Sequence, residues 1–509
     1  MIPSEDLFNL IKSLSMSEKR HFKIFASRHV IGAQNSYVKL FNAIEKQSAS
    51  GGEYNEQGIK AIFRNEKFIR YLPMHKKYLY KLVLKSLSAI YTEQTSNMYL
   101  TELLKFAEIL CLKGQFAQAI KILDKANETA SQRESHLFLL LISSLKKYAV
   151  AGSGYSLPGS LNEKAVLEEE LAAIDNYKMM CHLWNVKIKA DKLLEKGAIQ
   201  IDVKKYRSIV GDPILNSRMD SKRAIMISRQ ILSACHCALG NYVKGYEYLK
   251  ERIDVMEQVK EWTYSNPLVY PRDLNNLIFL AVQLGKYDEA GVGINKIKTF
   301  PALLKKTHPE TIDAYVFQSA YSNEIELAIK TVKLHLLPGI IHKITAGLKK
   351  FKKYISPLYE QVFPHYIAYS YFLIGDFRQS LRWIHGLMNA KNVARESLQI
   401  SSGIMNLAIH YELGNREIIK NTVRAIIKRM DNMGQQNEVL YLIADFFMQL
   451  YGSETKKEVA DCFVEVKRKM LKYKPDELKI VTEYFDFISW VESKIQNLSF
   501  ADLVREKVK

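Results

Sequence analysis

The chain has 509 residues, enough for a large buried core arranged as a few domains or as one elongated array. Hydrophobic residues make up 48% and charged residues 25%, an ordinary globular balance that excludes disordered, collagen-like and disulfide-scaffold classes. The net charge of +19 predicts attraction to anionic surfaces without selecting one, and 23 glycines with 12 prolines are too few for the turns of an all-β chain, so helix is expected.

Taken in chain order, residues 1–95 read as a basic helical region, either a separate subdomain or a cap, with 15 Lys/Arg against 7 Asp/Glu in residues 1–90. Ser4-Glu5-Asp6 opens one helix, and Ser17-Glu18 opens another through Phe22, Ile24 and Phe25. Tyr78, Leu79, Leu82, Val83, Ser86 and Leu87 follow the three-four spacing of a buried helix face. The opening Leu7-Phe-x-Leu-Ile-x-Ser-Leu-Ser-x-Ser-Glu-Lys-Arg-x-Phe22-Lys23 resembles the start of uncharacterised bacterial helical proteins, a likeness that implies no activity.

Residues 96–430 carry an internal repeat. An apolar helix ends in Gly, an aromatic follows two positions later, and a small residue stands three beyond it. The copies are Leu110-Cys-Leu-Lys-Gly114-Gln-Phe116-Ala-Gln-Ala119, Ala238-Leu-Gly240-Asn-Tyr242-Val-Lys-Gly245, Gln283-Leu-Gly285-Lys-Tyr287-Asp-Glu-Ala290 and Leu373-Ile-Gly375-Asp-Phe377-Arg-Gln-Ser380. Gly permits the left-handed turn, the aromatic fills the wedge between two antiparallel helices, and the small residue lets them approach. Weaker copies stand at Asn323, where Asn also accepts a left-handed turn, and at Gly414, where Arg416 replaces the aromatic. This turn resembles that of the tetratricopeptide repeat. The resemblance implies an all-α, right-handed α-solenoid of tetratricopeptide-like helix pairs, with helical N- and C-terminal caps. Ala151–Ser160 is dense in turn residues and reads as a loop, Lys196-Gly197 as a further turn, and residues 431–509 as the C-terminal helical cap.

Repeats of this type curve, and the first helix of each pair lines a concave face that commonly holds a peptide. Superposed on the turn residues 240, 285, 323 and 375, the positions ten before the turn are Gln230, Asn275, Asp313 and His365, and Phe279, Phe317 and Tyr369 stand six before. The two columns lie four residues apart, on one helical face. With Arg272 they form the expected partner-binding groove, or else the aromatics pack neighbouring repeats together. The expected function is therefore a non-catalytic scaffold or adaptor for a protein or peptide.

The alternative is a nucleic-acid-associated regulator. Lys19, Arg20, Lys23 and Arg28, then Arg64, Lys67, Arg70, Lys76 and Lys77, recur among Phe68, Tyr71, Tyr78 and Tyr80. Basic residues neutralise phosphate and aromatics stack on bases. Catalytic signatures do not emerge. Cys235-His236-Cys237 places its thiols about 200° apart on a helix, and Cys181-His182 has no partner pair, so no metal or cofactor is expected. Five scattered cysteines and a start without a basic and then apolar leader suggest a cytoplasmic protein, and no apolar run approaches the length of a membrane span.

Overall fold

The computed structural model describes residues 4–27, 36–49, 53–92, 96–154, 163–196, 202–259, 263, 266–304, 308–388, 396–432, 437–478, 481–482 and 484–508. Among them are 24 helices and no strand, so the fold is all-α. Arg28, Gly197 and residues 155–160 of the expected loop lie outside the described residues. Among the described residues, no helix is long and apolar enough to cross a membrane.

The chain divides into two compact units, Met1–His182 and Leu183–Lys509. In the first, α1 (Ser4–Ser13), α2 (Met16–Ser27), α3 (Ser36–Ala49), α4 (Glu56–Ile62) and α5 (Leu72–Tyr91) close around Leu7, Ile11, Phe22, Phe41, Leu79 and Val83. The start of α2 differs from the sequence reading. Its cap is Ser15 rather than Ser17, because the Ser15 amide donates to Glu18 Oε2 at 2.6 Å while the Glu18 amide donates to Ser15 Oγ at 3.3 Å. A second core, around Leu100, Ala119, Leu123 and Ile142, joins α6 (Ser96–Leu112), α7 (Phe116–Gln132) and α8 (His136–Gly152). The 34-residue α9 (Glu163–Lys196) runs through the boundary between the units.

The second unit holds α10 (Val203–Val210), α11 (Lys222–Ala238), α12 (Tyr242–Gln258), α13 (Val269–Gln283), α14 (Tyr287–Thr299), α15 (Glu310–Lys330) and α16 (Leu337–Lys350). It continues through α17 (Pro357–Ile374), α18 (Phe377–Met388), α19 (Glu396–Glu412), α20 (Arg416–Asn432), α21 (Glu438–Gly452), α22 (Lys456–Met470), α23 (Phe487–Gln496) and α24 (Phe500–Val508). Each helix from α11 to α22 packs on the next. Residues from Val439 to Phe500 share one hydrophobic core with residues 314–423, so no core boundary falls at 430.

The turns follow the sequence reading closely. Gly114, Gly240, Gly285, Gly375 and Gly414 all have positive φ, from 70° to 86°. At each, the amide of the next residue reaches back five positions, as Asn241 does to the His236 carbonyl at 2.8 Å, which satisfies a carbonyl stranded at the helix end. Behind the turns, Ala119, Gly245, Ala290 and Ser380 are buried. A Cβ on Gly245 would collide with Cys237 Sγ.

Asn323 is a correction. It lies inside α15, and its Nδ2 donates to the Ser319 carbonyl at 2.6 Å. The turn falls instead at Val332, φ 50°, where the Lys333 amide meets the Ala328 carbonyl at 2.9 Å. Glu134, φ 47°, makes the same turn between α7 and α8. Neither residue type advertises a left-handed conformation, so tertiary packing imposes both turns against local preference.

Candidate functional site

Moving the turn from 323 to 332 changes the two columns. Ser322 and Glu326 now stand ten and six positions before it, and Asp313 and Phe317 leave the row. Asp313 is half-buried and accepts from His308 Nε2 at 2.9 Å. Phe317 is 6% exposed, with Tyr321 and Phe351 at 5.4 Å and Phe363 at 5.5 Å between ring centroids. It packs against Gly347, which has no Cβ to meet the ring.

His365 and Tyr369 keep their columns but are covered by the chain's own C-terminal residues. His365 Nε2 donates to the Tyr484 carbonyl at 2.9 Å, leaving Nδ1 to accept from the Ser402 hydroxyl at 2.8 Å. The Tyr369 hydroxyl accepts from the Asp486 amide at 3.3 Å, and its ring meets Phe485 and Phe500. Trp490 Nε1 donates to Glu412 at 2.7 Å, and Lys494 pairs with the same carboxylate at 2.5 Å. Val481, Phe485, Phe487, Trp490, Val491 and Leu503 are all buried. Each large side chain so removed from water contributes about 1.5–3 kcal/mol toward holding this cover in place. His365, Tyr369 and Phe317 are therefore interior packing in this structure, not an open face.

The remaining groove residues lie on α11 and α13. Gln230 is half-buried, and Asn275 is half-buried and accepts from Asn323 Nδ2 at 2.7 Å. Arg272 is exposed and Phe279 is 42% exposed. Arg272, Asn276, Phe279 and Gln283, all exposed, follow steps of four, three and four residues on one face of α13. The neighbouring Asp273 belongs to the interior: Arg252 Nε holds it at 2.7 Å, while burial pushes its carboxyl up against the pull of that guanidinium.

In the N-terminal region the structure sorts the candidate cations into two sets. Lys19 and Lys23 share Glu45 at 3.7 Å and 2.8 Å, and Lys76 pairs with Glu56 while lying 5.4 Å from the Tyr54 ring centre. Arg20, Arg64, Lys67, Arg70 and Lys77 are exposed and form no ion pair among the described residues. Helix α5 carries four lysines and no carboxylate in 20 residues. Lys81 and Lys85, also exposed, continue the four-residue step from Lys77; that spacing was legible in the sequence. Tyr71 and Tyr78 are 63% and 51% exposed, whereas Phe68 is buried and cannot stack on a base.

Burial pushes the Cys235 thiol up to about 12, and His236 stacks on Tyr248 at 5.5 Å. Neither arrangement suits a metal ligand, and among the described residues no three His, Cys, Asp or Glu side chains converge as a metal site. A cleft of about 190 Å³, lined by Tyr246, Ile253, Leu274, Leu277, Ile278 and Val292, is smaller than common small-molecule pockets of roughly 300–1,000 Å³. No protein family and no curated protein matches the chain.

Proposed function

We propose that the protein is a non-catalytic scaffold for a protein or peptide, its helices read as a right-handed, tetratricopeptide-like solenoid whose open inner face is the α11–α13 stretch. The observation that supports this reading most is Phe279, a large apolar side chain left 42% exposed in mid-helix between exposed Arg272 and Gln283. Aromatic and arginine anchors commonly carry interface energy, and a rigid array leaves the ordering cost to the partner. Immobilised full-length protein is expected to retain a defined partner from host lysate that Phe279→Ala and Arg272→Ala release. Both variants should melt as the wild type does, since neither side chain is buried. Equal retention by all three forms counts against the reading.

A second reading rests on the acid-free α5. Exposed Arg64, Lys67, Arg70, Lys77, Lys81 and Lys85 beside Tyr71 and Tyr78 combine backbone neutralisation with stacking on single-stranded nucleic acid. Full-length protein should bind a labelled oligonucleotide with an affinity that falls steeply with salt. A Lys67→Glu, Arg70→Glu, Lys77→Glu variant should flatten the logarithmic salt slope by about 0.7 for each phosphate it no longer neutralises. Binding indifferent to salt, or unchanged in the variant, refutes it.

A further inference from the structure

Helix α9 has an exposed apolar stripe unrelated to the proposed partner face. Leu167, Leu171, Ile174, Tyr177, Trp184 and Ile188 are between 36% and 54% exposed, and Cys181, also exposed, stands among them. The helix buries other residues toward its own chain, namely Ala173, Leu183, Val186 and Ala190. Along the stripe the steps are four, three, three, four, three and four residues, a mean of 3.5. That is the period of a coiled-coil seam rather than of a straight helix, and it runs for about 32 Å at 1.5 Å per residue. Monomeric proteins rarely leave so long an apolar surface in water.

The charge on the helix says what covers the stripe. Residues 163–175 carry five carboxylates against Lys164, a net −4, and residues 178–196 carry five lysines against Asp191 and Glu195, a net +3. A parallel copy would set like charge against like. An antiparallel copy sets acidic half against basic half at both ends. The spacing fits the same arrangement, because a two-fold axis between Tyr177 and Lys178 brings Leu167 level with Ile188, Leu171 with Trp184 and Ile174 with Cys181. Lys164 then falls level with the half-exposed Asp191, while Lys187 stays paired with Asp191 inside its own helix at 2.5 Å.

We propose that two copies of this chain associate through α9, antiparallel and two-fold symmetric, with the Leu167–Ile188 stripe as the seam. The interface is isologous, so one patch is both sides of the contact and the assembly closes at two. It requires neither the scaffold reading nor the nucleic-acid reading.

Sedimentation of the full-length chain should give a dimer that dissociates on dilution. Leu171→Glu combined with Trp184→Glu should give a monomer whose melting temperature is unchanged, since both side chains are exposed in the single chain. Orientation is read by cross-linking. In Ile174→Cys, mild oxidation should join the introduced thiol to Cys181 of the second copy, and Cys181→Ser in that background should abolish the link. Wild-type protein should not cross-link, because antiparallel packing separates the two Cys181 positions by seven residues, about 10 Å along the axis and beyond disulfide reach. A monomer at every accessible concentration, a dimer untouched by the paired glutamates, or a wild-type link through Cys181 alone would each overturn the proposal.

Discussion

Two glycines separate the conformational demands on single residues from the packing demands. Gly240 has φ 76° and open space where a Cβ would stand, so Gly240→Ala tests left-handed strain alone and is expected to cost about 1 kcal/mol. Gly347 lies in regular helix with the Phe317 ring where its Cβ would stand. Gly347→Ala should cost about 1–3 kcal/mol through overpacking, and Phe317→Leu in that background should recover part of it. Chemical denaturation of the three variants checks both values; a Gly347→Ala cost that Phe317→Leu leaves wholly unrelieved would mean that the ring does not pack on Gly347 as described. Gly240 is legible in the sequence by its place in a repeated turn. Gly347 is not, because a close approach between helices leaves no local mark.

Among the elements, legibility follows the range of the forces that fix them. The Gly-ended hairpins were readable because the turn residue, the aromatic and the small residue act within one connection. The hairpin closed at Val332 was not, since a buried, β-branched valine at φ 50° is a residue type that rarely takes a left-handed turn. Asn323 misled for the same reason in reverse: its side chain bonds within α15 and across to Asn275 instead of ending a helix. With the turn at 332, the spacings from 240 to 414 become 45, 47, 43 and 39 residues, more regular than a turn at 323 allows. In α9 the apolar steps are visible in sequence, but they become informative only once the side chains prove exposed rather than buried.

At the scale of the whole molecule, the C-terminal residues decide which part of the expected groove is open. The coupling has a pH signature. Burial lowers His365 to about 4 from 6.5, against the opposing pull of its hydrogen bond to the Tyr484 carbonyl, so at pH 5 the folded protein keeps it neutral while the unfolded chain protonates it. Its share of stability is present above about pH 6.5 and is lost as pH falls toward 4, amounting to about 2 kcal/mol at pH 5. Denaturation at pH 7 and pH 5 should therefore show a larger loss for wild type than for His365→Gln; equal losses would mean that the imidazole is not enclosed as described. The all-α class, the left-handed turns at the five glycines and the basic character of residues 1–90 are legible in the chain, because composition, helical period and glycine chemistry act locally. Tertiary structure alone decided that Phe317, His365 and Tyr369 are interior, that Phe279 and the α5 lysines are exposed, and that Val332 ends a helix. Burial is settled by segments far apart in the chain, such as His365 and Tyr484, whose meeting no local pattern records.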